Sequence, residues 1–188
     1  MHLYKKNLKK LTNAHAYYPS LEHDACGVGL VASTDGKKSR KIVEFGIQAL
    51  KAVWHRGAVD VDGKTGDGAG IHIEIPKDFF IERIENYGRQ YDGGTICVGM
   101  IFLPRNDYAS QEKCKTLIES ELLSKNYYIY RWRQVPINTN ALGAKAESNR
   151  PEITQVIFRS NNKNLASDEL ERDLFVIRKK IEKQSNIL

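Results

Sequence analysis

The chain has 188 residues, a size that fits one domain or a large part of one and can bury a real core. Its 41% hydrophobic and 28% charged residues are those of an ordinary soluble globular protein, and no apolar run approaches the length of a membrane span. The formal net charge of +6 leaves nucleic acid open as a partner, but the lysines of YKKNLKK stand at one end of the chain and RKK near the other, so no basic stripe forms. Residues 1–25 begin basic and continue rich in Asn, His and Tyr without apolar periodicity. They lack the apolar core of a secretory signal. This segment reads either as a disordered arm or as a leader removed in maturation, and a short transit peptide is open on charge alone, because no acid precedes Glu22.

From Cys26 the pattern becomes regular. CGVGLVAS predicts a strand, TDGKK a turn, and Ser39 the cap of a helix to about Trp54, with Val43, Ile47, Leu50 and Trp54 on one face. The glycine-rich HRGAVDVDGKTGDGAG follows, and IHIEI alternates like a strand with one buried face. DFFIERIEN predicts a helix, TICVGMIFL a strand, ASQEKCKTLIESELL a helix, and YYIYRWRQV and EITQVIF two more strands. A last helix starts after Ser167, with Asp168 and Glu169 in its first turn and basic residues at its end, the charge order a helix dipole favours. Strands alternating with helices suggest, by themselves, a parallel α/β sheet.

Several motifs fail as ligand sites. DGKTGDGAG contains Gly-Lys-Thr, but a phosphate loop needs a glycine five residues before Gly63, where Ala58 stands, and a helix afterwards, where a strand is predicted. Asp60 and Asp62 begin a calcium-loop pattern that Lys64 interrupts. The cysteines at 26, 97 and 114 are too few and too scattered for a disulfide framework or a zinc site, which makes a reducing cytoplasm the default compartment. Aromatic and basic residues interleave in YYIYRWRQ, as on a base-stacking surface, although alternation along a half-buried strand explains them more simply. Neither nucleic acid nor membrane is an expected partner.

Two candidates for chemistry remain, each with a plain alternative. His55 and Arg56 in WHRG can act as a general base and an anion clamp, or can simply face the C-terminal dipole of a helix. Cys26 is either a buried strand thiol or, if the bond after Ala25 is cut, an N-terminal nucleophile. An N-terminal residue carries its own base, since an α-amine titrates near about 7.7 to 8.0 within reach of the side chain. Gly27 leaves room for a substrate beside it.

CGVGL, the block ALKAVWHRGAVDVDGKTGDGAGIHIEIPKDFF, YYIYRWRQVPIN and RPEI together resemble the N-terminal glutaminase region of glutamate synthase large (alpha) subunits, from Cys26 to about Lys183. The Cys-Gly and His-Arg-Gly elements are shared with all class II (Ntn-type) glutamine amidotransferases; the DGKTGDGAG block and Trp-Arg-x-Val-Pro point to glutamate synthase. The resemblance implies an α+β fold, the four-layer αββα sandwich, of which this chain is the N-terminal portion. It implies a leader of residues 1–25 and an incomplete domain of residues 26–188. It also implies Cys26 as nucleophile and, through its amine, as base, with Arg56 holding the cysteine end in place. The implied substrate is L-glutamine, hydrolysed through a cysteinyl thioester; in the whole enzyme the ammonia is added to 2-oxoglutarate, a step of glutamate biosynthesis and ammonia assimilation. FMN and an iron–sulfur cluster are expected in the whole enzyme and no cofactor in this segment. The expected protein partners are the remainder of the large subunit and the glutamate synthase small subunit. The family's Asn-Gly oxyanion pair and its Arg-Tyr-Ser carboxylate-binding segment are absent from these residues and are expected beyond residue 188. Because one oxyanion donor is worth about a hundredfold to a thousandfold in rate, the isolated chain is expected to be nearly inactive.

Overall fold

The computed structural model describes residues 2–13, 27–53, 57–162 and 164–185. They form two units, Met1–Ala52 and Val53–Leu188.

The first unit holds helices α1, His2–Asn13, and α2, Arg40–Ala52. Helix α1 corrects the reading of the first residues as a structureless arm: Leu and Lys are strong helix formers, and neither Gly nor Pro interrupts the segment. Its lysines 5, 6, 9 and 10 all face water. Residues 14–26 lie outside the described residues. Helix α2 ends close to its predicted length, with Val43 and Ile47 half-buried and an exposed Arg40–Glu44 ion pair of 3.3 Å. The Asp-Gly turn forms with Gly36 at φ +67°, a conformation only glycine adopts without strain, and Asp35 accepts from the Lys37 N–H at 3.0 Å. GVGLVAS, by contrast, pairs with nothing among the described residues, and Val28 and Leu30 stand exposed. A strand exists only through its partner.

In the second unit, helix α3 spans Lys77–Glu85, strand β1 Ile96–Leu103, helix α4 Tyr108–Ser124 and strand β2 Tyr127–Gln134. A 3-10 turn at Thr139–Ala141 leads to helix α5, Ala144–Asn149, then strand β3, Glu152–Ser160, and helix α6, Ser167–Ser185. The strand order is β1-β3-β2, and both pairings are antiparallel. This overturns the parallel-sheet reading and establishes the α+β class. The reason is topological: β1, α4 and β2 form a crossover whose two strands run the same way, and β3 inserts between them in the opposite sense. The sequence displays the crossover; the insertion is a tertiary event.

Both faces of the sheet are covered. Cys97, Tyr127, Val156 and Phe158 pack with Ile118 and Leu122 of α4 and Ile177 of α6. On the other face Ile96, Tyr130 and Ile157 pack with Phe80 and Ile84 of α3. Five consecutive residues of β3, Thr154–Phe158, are buried, the mark of a central strand covered on both faces, and they include the polar Thr154 and Gln155. Each fully buried aliphatic or aromatic side chain contributes on the order of 1.5–3 kcal/mol. Helix α4 begins where the Asp107 carboxylate accepts from the Ser110 N–H at 3.0 Å, and it ends at Ser124, just before Asn126, whose φ of 61° turns the chain into β2.

Strand β2 contains a bulge between Ile129 and Arg131. A bulge shifts the alternation of side chains by one. Tyr128 and Tyr130 therefore face α3, while Trp132 returns to the face of Tyr127 and Ile129, where its indole N–H donates to Glu119 at 2.6 Å.

Candidate active site

Cys26 and Arg56, together with His55, lie outside the described residues. The residues that follow each of them are described. Gly27 and Gly29 have open space where a side chain would stand. After Arg56 the chain enters a tight loop through residues 57–70, and most of its geometry follows from three aspartates.

The loop closes as a short hairpin with a Val59–Gly66 bridge. The Asp60 N–H donates to the Thr65 carbonyl at 2.7 Å, and the Asp67 carboxylate accepts from the Ala58 N–H at 2.9 Å. Asp62 accepts from the backbone N–H groups of Lys64 at 3.0 Å and Thr65 at 2.7 Å, and from the Thr65 hydroxyl. These bonds favour the ionised carboxylate, and the Thr65 hydroxyl bond is the largest of them: Asp62 is lowered to about 2. Gly63, at φ +67°, makes the turn, and at Gly66 an added Cβ would meet the Ala58 carbonyl at 2.9 Å.

A distant segment then clasps this hairpin. The Lys145 ammonium, on α5, donates to Asp60 at 2.7 Å, and that bond is the main reason the Asp60 carboxyl lies below its ordinary range. Gly143, just before α5, comes so close that a Cβ there would collide with Asp62 and Thr65. The Asp-x-Asp-Gly-x-Thr spacing signals the self-bonded turn. Nothing local signals Lys145 or Gly143, which lie some eighty residues further on.

The hairpin's donors and acceptors are committed to one another. The amides of Lys64 and Thr65, which a phosphate loop would offer to its ligand, are spent on Asp62. The carboxylates of Asp60 and Asp62 bind Lys145 and the loop itself. Among the described residues no group of His, Cys, Asp and Glu is placed to hold a metal ion. IHIEI, beyond the loop, matches a strand in pattern, but its residues are exposed and form no strand among the described residues. Cys97 differs from what a nucleophile needs: it is buried in the core, and that burial pushes its thiol up to about 11.

Comparison with known sequences decides the family. The profile of Glutamine amidotransferases class-II matches residues 26–188, so the match starts at Cys26 and takes in Arg56 and the whole hairpin.

The chain belongs to the class-II glutamine amidotransferases.

This amidotransferase chain is 52% identical over 180 residues, 96% of its length, to the glutamate synthase [NADPH] large chain of Azospirillum brasilense. It is 38% identical over 97% of its length to a ferredoxin-dependent glutamate synthase of Pyropia yezoensis. A glutamate synthase [NADPH] large chain of Bacillus subtilis is 34% identical over 88% of it. The chain spans only 12%, 12% and 11% of those three proteins. The Azospirillum match extends into the residues before Cys26, so that segment too resembles a glutamate synthase. Among the described residues no helix is long and apolar enough to cross a membrane.

Proposed function

We propose that this chain is the glutamine-hydrolysing part of a glutamate synthase, with Cys26 as its nucleophile once residues 1–25 have been removed. The observation that carries the reading is the position of the family match, whose first residue is Cys26. With the bond after Ala25 cut, the α-amine of Cys26 takes the thiol proton. The thiolate attacks the side-chain amide carbon of glutamine, the C–N bond breaks, and the proton leaves with ammonia. Water then hydrolyses the γ-glutamyl thioester, releasing glutamate and restoring the thiol. Arg56, two residues before Ala58, holds the cysteine end in place on this reading. The clasped hairpin that begins at Ala58 supports such a role, because a positioning group needs a fixed backbone behind it.

In the longer protein, the ammonia is added to 2-oxoglutarate, and the remainder of the large subunit and a small subunit are partners. FMN and an iron–sulfur cluster supply the reducing chemistry there. We assign both groups to the length of the relatives that this chain does not span. The free state of both described cysteines supports the cytoplasm as the compartment.

Intact-mass analysis of the parent enzyme tests the proposal. The expected mature terminus is Cys26, alkylated once by a diazoketone analogue of glutamine, and Cys26→Ala should abolish glutamine hydrolysis while leaving ammonia-dependent glutamate formation in place. An active enzyme that retains Met1, or a Cys26→Ala enzyme that still hydrolyses glutamine, overturns it in favour of a noncatalytic module.

A further inference from the structure

Six arginines are half-buried among the described residues. Three have carboxylate partners: Arg105 and Arg150 both pair with Glu147, at 2.8 and 3.1 Å, and Arg159 pairs with Asp92 at 2.5 Å. The other three, Arg83, Arg131 and Arg133, form no ion pair among the described residues, and they lie together. The β2 bulge turns Arg131 and Arg133 onto the α3 face, where Arg83 belongs to the helix itself. Arg131 donates to the Arg83 carbonyl at 3.0 Å and lies 3.2 Å from the centre of the Tyr87 ring. Arg83 and Arg133 stand 5.0 and 5.3 Å from the centre of the same Phe79 ring.

The cluster keeps an unfilled donor and an unbalanced charge. The Nε of Arg83 is buried and meets no acceptor. Arg133 gives one N–H to the Gln155 side chain at 2.6 Å, a neutral acceptor. The local electrostatics agree: the Tyr87 hydroxyl pKa is lowered first by its bond to Arg131 and then by all three guanidinium charges, while the Arg133 pKa is lowered by burial and then by its two neighbours. Buried donors are normally satisfied, and grouped guanidinium ions normally face an anion. Base stacking, the use that YYIYRWRQ suggests, is disfavoured here, since Tyr127 and Tyr130 are buried and Arg159 already lies over the Tyr128 ring.

We propose that Arg83, Arg131 and Arg133 form a carboxylate-binding site on the α3 face of the sheet. Planar guanidinium forks match a carboxylate through paired N–H bonds. The proposal does not depend on the reading of the chain as a glutaminase. The carboxylate has two sources, a free dicarboxylic acid or an acidic segment of polypeptide lying along the open edge of β2.

Nitrogen-15 NMR of the Arg Nε–H signals in the whole 188-residue chain at low salt tests both. Glutarate should shift the Arg83 signal saturably, neutral glutaramide should not, and exposed Arg40 should stay still. Arg131→Gln and Arg133→Gln should each weaken binding about tenfold, and Arg133→Lys, which keeps the charge but loses the fork, by less. An oligoglutamate peptide that binds more tightly than glutarate assigns the site to a protein segment; the reverse order assigns it to a free acid. The proposal falls if Arg83 does not respond, if Arg40 responds equally, or if folded Gln variants bind as the unchanged chain does. Because the wild-type spectra alone locate the anion, an unfolded variant does not remove the test.

Discussion

The three-stranded sheet and the glycine-rich hairpin belong to the same unit, yet opposite means hold them. In the sheet, Val156, Ile157 and Phe158 vanish between α3 on one side and α4 and α6 on the other, and apolar burial does the holding. In the hairpin nearly every side chain is exposed, Val61 completely so, and order comes from Asp60, Asp62 and Asp67 binding N–H groups and one lysine. The first arrangement rests mainly on apolar contact, which carries no charge of its own. The second is a set of directed polar bonds whose strength depends on ionisation and on close backbone approach. A family motif sits in the second kind of region because a fixed backbone shape, rather than a packed core, is what the adjoining Arg56 requires on the proposed mechanism.

The largest effect should come from the sheet. Ile157 is wholly buried at the centre of β3, opposite Val98 on one neighbour and Arg131 on the other. Ile157→Ala should cost about 2–5 kcal/mol in urea unfolding, enough to threaten the whole unit. A loss below about 1 kcal/mol would mean that the sheet is not the stabilising element. A smaller and local effect is expected from Gly143→Ala, whose new methyl group meets Asp62 and Thr65. Overpacking of this kind costs roughly 1–3 kcal/mol. Since the hairpin can move away, hydrogen exchange should quicken across residues 60–66 while the core amides keep their protection. Uniform quickening would show that the two regions unfold together and would erase the contrast.

What could be read from the sequence follows the same division. The helices at Lys77, Tyr108 and Ser167 and the strands at Ile96, Tyr127 and Glu152 appear where periodicity places them, because each buries a patterned face that the residues display. Patterning failed where no neighbouring strand stood: GVGLVAS and IHIEI alternate correctly but form no strand among the described residues. It also failed for strand order, since the insertion of β3 between β1 and β2 leaves no local trace. At the candidate site, the residue types of Cys26 and Arg56 were legible through family resemblance, and their geometry lies outside the described residues. The glycine richness of the loop was legible. The grip of Lys145 and Gly143 was not, because a contact spanning some eighty residues has no sequence period.

Ionisation separates the regions further. Asp62 is held at about 2, below its ordinary 3.8, so the folded hairpin favours the charged form. Its contribution is complete above the unfolded value, near pH 4, and is lost as pH falls through about 2. Carbon-13 titration should show the Asp62 carboxyl changing near pH 2 in step with the Lys64 and Thr65 amides, while signals of β3 stay fixed. Asp62→Asn keeps an acceptor oxygen for those amides, so it should preserve the turn at neutral pH and abolish the acid transition. An Asp62 that titrates near 4 would show that the amides do not hold it.

Lys145→Met should have the smallest effect, and it asks whether the clasp is electrostatic or steric. The ammonium is largely exposed, and exposed ion pairs contribute little to global stability and less as salt screens them. The midpoint of urea unfolding should therefore barely change. Asp60 should titrate higher, because the lysine bond is the main cause of its lowered pKa and the Val61 N–H, at 2.7 Å, remains. If Gly143 packing supplies the rest of the grip, exchange in residues 60–66 should stay slow in Lys145→Met and become fast only when Gly143 is changed. Fast exchange in the Met variant would transfer the hold on the hairpin from close backbone packing to a single salt-sensitive bond, detectable as equally fast exchange of the unchanged chain in concentrated salt.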